Sequence, residues 1–321
     1  MRRKRKRIFS LIKSLGARLQ YYPFRLWILW AKHVSAESIR FYGEKFATVA
    51  FFLLRRGRKI ALNNLHLALG SEKSEGEIKQ ICLNNFKNIG KNMMETAYCS
   101  HQEDGYSRRL VSLEGKEYLE EALKQGKGVI ALSAHVGNFP LMCVRLANEG
   151  YPISAVARIS KNAKVLEPIT SFMESVGMEY IPTKPRLTCV SRCLNALKRN
   201  RILFVQIDLN APTTEAWVDF FGYLVPTFKG SVVFSLRTGA PILPMFIIRN
   251  PDDLHKTIIH PHFRLSATGN TEQDITSNIA RLSKIAEAMI RDYPEQWWWA
   301  LPRFKRARDI RTGESLFAKR F

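Results

Sequence analysis

The chain has 321 residues, enough to bury one large core or two modest ones. Lys and Arg total 50 against 28 Asp and Glu, a net charge of +22, which calls for an acidic counterpart: nucleic acid, an anionic membrane or an acidic carrier protein. Five scattered cysteines, of which only Cys189 and Cys193 lie four apart, exclude a disulfide framework and a paired zinc motif, and we read them as reduced thiols.

The first sixty residues carry 16 of the Lys and Arg residues and only two acids, Glu37 and Glu44. Residues 2–7 are all basic, and Ile8, Phe9, Leu11, Ile12 and Leu15 then recur at helical spacing. An aromatic stretch at 21–30 and an apolar run at 46–54 follow. Neither reaches the roughly 18 to 20 apolar residues of a spanning helix. The basic start lacks the longer apolar region and small-residue cleavage site of a secretory signal. The pattern predicts helices lying in a membrane interface, with Trp and Tyr at headgroup level and the bases toward anionic lipid. A nucleic-acid arm and an atypical single span are the rivals. Basic arms of the first kind seldom carry so many large apolar side chains, and most of the charge excess sits in this one segment rather than in a nucleic-acid groove elsewhere.

From residue 55 the pattern becomes more regular. Residues 58–65 predict an amphipathic helix, and Ser74-Glu75-Gly76-Glu77 has the spacing of a capping box. Ile78, Ile81, Cys82, Phe86, Ile89 and Met93 form a helical stripe whose simplest use is core packing. Residues 114–124 predict helix. The apolar run 129–132, bounded by Gly128 and by Ser133-Ala134-His135, predicts a buried strand, and a helix with Pro140 in its first turn follows. Further strands are predicted at 151–156, 177–181, 202–207 and 241–248, and helices at 167–176, 187–198 and 232–237. Strands alternating with helices predict an α/β fold.

Three polar residues fall at predicted strand ends: His135, Arg158 and Asp208. Open α/β sheets bind ligands at that edge, so parallel neighbouring strands would bring a base, a cation and a carboxylate into one cleft. Each has a plainer reading. His135 could cap the following helix, Arg158 could form a surface ion pair, and Asp208 could close a turn.

Several blocks, in order along the chain, resemble the bacterial late acyltransferases of lipid A biosynthesis, within the wider lysophospholipid acyltransferase superfamily. They are Arg58 to Leu69, Gly115-Lys116-Glu117-Tyr118-Leu119, Gly126-Lys127-Gly128-Val129-Ile130, Ala134-His135-Val136-Gly137-Asn138-Phe139 and Arg158-Ile159-Ser160-Lys161-Asn162. Later come Phe220-Phe221-Gly222, Thr227-Phe228-Lys229-Gly230, the block from Arg237 to Pro244, Tyr293-Pro294-Glu295-Gln296-Trp297-Trp298-Trp299 and Arg303-Phe304-Lys305. The resemblance spans roughly 58–308. It implies a single large mixed, mostly parallel sheet flanked by helices, and transfer of a fatty acyl chain from acyl carrier protein or acyl-CoA to a hydroxyl of a lipid A precursor or similar glycolipid. It further implies no metal or cofactor, and a place on the cytoplasmic face of a bacterial inner membrane. Residues 1–57 would then be the membrane-association segment and 309–321 a tail.

In that family the histidine of an H-x-x-x-x-D/E motif takes the proton of the acceptor hydroxyl. His135 matches it, but the acid position is Pro140. Asp208, or less readily Glu149, would have to supply the carboxylate, unless His135 works unassisted or with Asn138 orienting it. A non-catalytic lipid- or carrier-binding relative is the alternative that Pro140 raises, and another glycolipid or a lysophospholipid is the alternative acceptor. Gly137, Asn138, Lys229, Gly230 and Arg237 are expected near the substrate, some as oxyanion donors, with Arg158 as the phosphate contact. Phe220, Phe221, Phe228 and Phe234 are expected in an acyl groove or else in the core. Trp297-Trp298-Trp299 with the bases after it is either a second interfacial patch or a buried strand with a basic tail.

Overall fold

The computed structural model describes residues 30, 33–99, 102, 104–158 and 162–316. The basic run 2–7, the helical pattern at 8–15, most of the aromatic stretch at 21–30 and residues 159–161 lie outside those residues.

Helices α1 (Ala36–Leu53), α2 (Arg55–Leu69), α3 (Glu75–Cys99) and α4 (Asp104–Leu110) precede strand β1 (Val111–Glu114). Alternation follows: α5 (Lys116–Lys124), β2 (Val129–Ser133), α6 (Phe139–Ala147), β3 (Ile153–Ala157), α7 (Ala163–Ser175), β4 (Glu179–Pro182), α8 (Arg186–Lys198) and β5 (Ile202–Gln206). A hairpin of β6 (Ala216–Phe220) and β7 (Tyr223–Thr227) leads to α9 (Gly230–Thr238), β8 (Ile242–Arg249), β9 (His255–Ile259) and α10 (Thr271–Asp292). Turns of 3₁₀ helix at Pro294–Gln296 and Arg303–Arg306 and the short strand β10 (Arg308–Asp309) close the described chain.

The main sheet has seven strands in the order β1-β9-β8-β2-β5-β3-β4. β8, β2, β5, β3 and β4 are parallel. β9 runs antiparallel to β8, and β1 is parallel to β9. The fold is therefore α/β, with a mixed, mostly parallel sheet flanked by helices. Strands β2 and β8 are buried along their whole length, which is why they appear in the sequence as unbroken apolar runs. Burying each such Val, Leu or Ile contributes roughly 1.5 to 3 kcal/mol against leaving it in water. The strands without such runs, β1, β9 and the β6–β7 hairpin, are absent from the sequence reading. β6 and β9 alternate between buried and half-buried positions, β1 buries only Val111, and β7 is half-buried at its start and buried at its end. The helix predicted from residue 114 starts at Lys116 instead, because Glu114 is the last residue of β1.

The capping box forms as read: Ser74 N–H donates to Glu77 Oε2 at 2.9 Å, and Glu77 N–H donates to Ser74 Oγ at 3.4 Å. The helix it opens, α3, buries Ile78, Ile81, Cys82 and Phe86 in the core. The stripe changes use farther along, where Ile89 and Met93 leave the core and face a pocket.

Helix α1 packs on α3 where two glycines meet. A Cβ at Gly90 would lie 2.4 Å from the Gly43 carbonyl oxygen and 2.5 Å from Ala47 Cβ, so only glycine admits this crossing. The opposite face of α1 is left bare, with Tyr42, Phe46, Val49 and Leu53 in helical register and Phe41 and Phe52 beside them, all exposed. Among the described residues no helix is long and apolar enough to cross a membrane.

Candidate active site

Strands β2 and β5 are parallel neighbours with Ser133 opposite Gln206. Two residues beyond each partner stand His135 and Asp208, so the pairing register itself brings them together. His135 Nδ1 lies 2.8 Å from Asp208 Oδ1. The other carboxylate oxygen, Oδ2, accepts the His135 backbone N–H at 2.7 Å and Trp297 Nε1–H at 2.6 Å. Asp208 is 1% exposed. Burial on its own would push the carboxyl upward; attraction to the His135 ring and the bonds from His135 and Trp297 outweigh this and hold it below the ordinary aspartate range. An ionised carboxylate only accepts, so Nδ1 carries the proton of the neutral ring and Nε2 keeps its lone pair. No described protein group bonds to Nε2.

The buried guanidinium of Arg303 belongs to the same region. It donates to the carbonyls of Leu209 and Pro226 and to Thr227 Oγ1, lies over the Phe220 ring, and attracts Asp208. The basic tail expected after the tryptophans thus begins with a buried arginine: hydrogen bonds to three acceptors offset the loss of its hydration.

His135 opens onto a pocket of about 330 Å³. α3 contributes Ile89, Met93 and Ala97, α7 contributes Pro168, Ile169 and Phe172, and Phe139, Pro140 and Trp298 complete the apolar lining. The rings of Phe139 and Trp298 stand edge-to-face with the imidazole, their centroids 5.1 and 6.1 Å from its own. Pro140 is thus part of an apolar wall. The polar lining is Asn92, Thr96, Asn138 and Gln296 with His135. Gly137 has φ +59°, and a Cβ there would meet the Ile247 carbonyl oxygen at 2.0 Å, so the loop after β2 presses directly on β8.

Of the other expected site residues, Gly137 and Asn138 line the pocket, and Arg158, Lys229, Gly230 and Arg237 lie outside its lining. Asn138 is wholly buried and caps α6, accepting from Leu141 N–H and Thr96 Oγ1 and donating to Asn92 O and Glu95 Oε2; it makes no bond to the His135 ring. Gly137 N–H is taken by the Gln296 carbonyl at 2.9 Å. Arg158 is exposed one residue past β3, outside the pocket lining. Lys229 N–H caps against Glu215 Oε2, and Gly230 begins α9. Arg237, exposed, lies at the far end of that nine-residue helix, about 10 Å away. None of these three lines the pocket. Glu149, the other candidate carboxylate, pairs with Arg108 and Arg145.

Of the two readings of Phe220, Phe221, Phe228 and Phe234, core packing holds for three, and none of the four lines the pocket. Phe220 and Phe221 pack against Trp297, Trp299 and Phe304, Phe234 is buried, and Phe228 is exposed away from the pocket. The three tryptophans are neither a surface patch nor a strand: Trp297 and Trp299 are core, and Trp298 between them lines the pocket. Among the described residues no group of three or more His, Cys, Asp or Glu side chains could hold a metal ion.

A family model described as bacterial lipid A biosynthesis acyltransferase matches residues 17–306. The chain is 26% identical to the lipid A biosynthesis palmitoleoyltransferase of Escherichia coli over 88% of its own length and 90% of that protein. It is 24% identical to the lipid A biosynthesis lauroyltransferase of the same organism, over 80% and 82% of the two chains. A shorter match, 26% identical over 40% of this chain and 42% of the relative, is to the phosphatidylinositol mannoside acyltransferase of Mycobacterium tuberculosis.

Proposed function

The chain belongs to the bacterial lipid A biosynthesis acyltransferase family, and on that premise we propose that it moves a fatty acyl chain from an acyl thioester to a hydroxyl of a lipid A precursor or a similar glycolipid, with His135 as general base. The observation that carries this reading is the His135–Asp208 pair at the wall of an apolar pocket. His135 Nε2 takes the proton of the acceptor hydroxyl as its oxygen attacks the thioester carbonyl carbon. Asp208 keeps Nδ1 protonated and stabilises the imidazolium that forms. The tetrahedral intermediate collapses with cleavage of the C–S bond, and the departing thiolate receives the proton back from Nε2. The first turn of α6 lines the pocket, which sets the positive end of its dipole beside the developing oxyanion.

Asp208 fills the role that Pro140 cannot, which favours a working enzyme over a non-catalytic relative. The donor is acyl carrier protein or acyl-CoA, both acidic, and the chain's excess of positive charge would draw either in. The bare face of α1 and the basic segment before it suit the cytoplasmic surface of an anionic membrane, bound from one side.

The test is acyl transfer by purified protein in detergent, with labelled acyl carrier protein and CoA thioesters and a panel of lipid acceptors. The parent should label one acceptor class, and folded His135→Ala should lose at least about a hundredfold in rate. No transfer from a folded parent that still binds lipid or carrier protein would favour the non-catalytic reading.

A further inference from the structure

Beneath the pocket lies a charged cluster that the acyl-transfer steps do not use. Glu95 on α3 is 1% exposed. Arg249 at the end of β8 grips it with both guanidinium nitrogens, at 2.9 Å to Oε1 and 2.6 Å to Oε2. His255 Nε2 lies 2.9 Å from Oε2, and Asn138 Nδ2 donates to the same oxygen at 3.3 Å. Burial acts against the Glu95 charge, but these partners bring its pKa down to about 2. Asp253, Lys91 and Arg40 form the outer rim of the cluster.

Burying charges in this way is poor economy if stability is the purpose, since apolar replacements of such clusters are often neutral or stabilising. Moreover, Arg249 Nε and His255 Nδ1 remain buried without a hydrogen-bond partner. What the cluster does reach is the loop that carries His135. Through Glu95 it holds Asn138, three residues on from the base. Through the Arg249 backbone it holds Gln296, whose side chain bonds to both Arg249 N–H and C=O at 2.7 and 2.8 Å. The Gln296 carbonyl in turn accepts Gly137 N–H. Arg249 Nη2 also holds Asn92 Oδ1 at 2.7 Å, so one arginine fixes two polar residues of the pocket lining.

We propose that Glu95 and Arg249 are positioning residues for His135: they clamp the 135–138 loop from two sides and set the imidazole against the α3 wall of the pocket. This rests on the acyl-transfer reading above. Neither residue lines the pocket, so both act through Asn138 and Gln296 rather than on substrate.

Full-length Glu95→Gln and Arg249→Lys proteins test this. The glutamine turns an NH2 toward donors that need an acceptor. The lysine keeps the charge and the backbone hold on Gln296 but loses the fork that reaches Glu95 and Asn92 together. For variants that stay folded at the assay temperature by circular dichroism, kcat should fall about a hundredfold, with KM for the thioester changed less than about threefold. Placed in a His135→Ala background, the same substitutions should change the residual rate less than about twofold, because the group they position is gone. Parental kcat in a folded variant overturns the proposal. So does a rise in KM alone, or a loss that multiplies in the His135→Ala protein. If Glu95→Gln does not fold, Arg249→Lys decides by the same criteria. A parent whose transfer is indifferent to His135→Ala fails differently, because it overturns the functional reading itself.

Discussion

Replacing Asp208 by Asn removes a charge and almost no volume, and the structure dictates how the amide must sit. Oδ2 accepts two donors, His135 N–H at 2.7 Å and Trp297 Nε1–H at 2.6 Å. An NH2 group there would set donor against donor twice, so the amide oxygen takes that place. The NH2 then occupies the position of Oδ1, 2.8 Å from His135 Nδ1. Nδ1 must become the acceptor, the ring proton moves to Nε2, and the nitrogen facing the pocket has no lone pair for the acceptor hydroxyl. The equivalent change in a serine protease costs about 10⁴ in kcat through the wrong tautomer, and the same logic predicts a loss of that order here, about 5 kcal/mol of transition-state stabilisation. Two of the three bonds survive unchanged and the third is reversed without its charge, so stability should drop by only about 1 to 3 kcal/mol. Transfer from labelled acyl thioester, with thermal unfolding followed in parallel, measures both quantities. A folded Asp208→Asn protein within tenfold of the parental rate would show that Asp208 does not set the His135 tautomer.

Other consequences can be checked separately. Because the Glu95 pKa falls from 4.5 to about 2 on folding, its contribution to stability is complete above 4.5 and is lost as pH falls through 2; Asp208, also lowered, adds to the same acid-side loss. Melting temperature should therefore fall between pH 5 and 2 more steeply in the parent than in Glu95→Gln. Gly90→Val places a side chain where the Gly43 carbonyl stands at 2.4 Å, and the forced separation of α1 from α3 should cost about 1 to 3 kcal/mol or more in denaturant unfolding. Pro140→Glu restores the motif acid in sequence only: Asp208 already holds Nδ1, so the new carboxylate enters an apolar wall unpaired, and KM for the thioester should rise with no gain in kcat. Phe46→Asp with Phe52→Asp, both on the bare face of α1, should weaken sedimentation with anionic vesicles without changing the circular-dichroism spectrum.

By itself the sequence determined the α/β class, because β2 and β8 are buried along their whole length and β3 and β5 over their first three residues, so that each appears as a mainly apolar run between helical patterns. It also determined the α3 cap, a matter of four adjacent residues, and it singled out His135 from its place between strand and helix. Only the tertiary structure decided the rest. Whether Asp208 reaches His135 depends on β2 and β5 being neighbours in register, and no local pattern 73 residues away encodes that. The Phe residues near 220 and the tryptophans near 298 look alike as sequence, yet packing sends Phe220, Trp297 and Trp299 to the core and Trp298 to the pocket. Glu95 follows Met94 on α3, beyond the point where the apolar stripe leaves the core, and no local pattern marks that carboxylate as buried. Its partners, Arg249 and His255, lie more than 150 residues on, in a strand pair that is antiparallel where the rest of that side of the sheet is parallel. Apolar periodicity reports which face of an element is buried. Which buried faces meet is set by the packing of the whole chain.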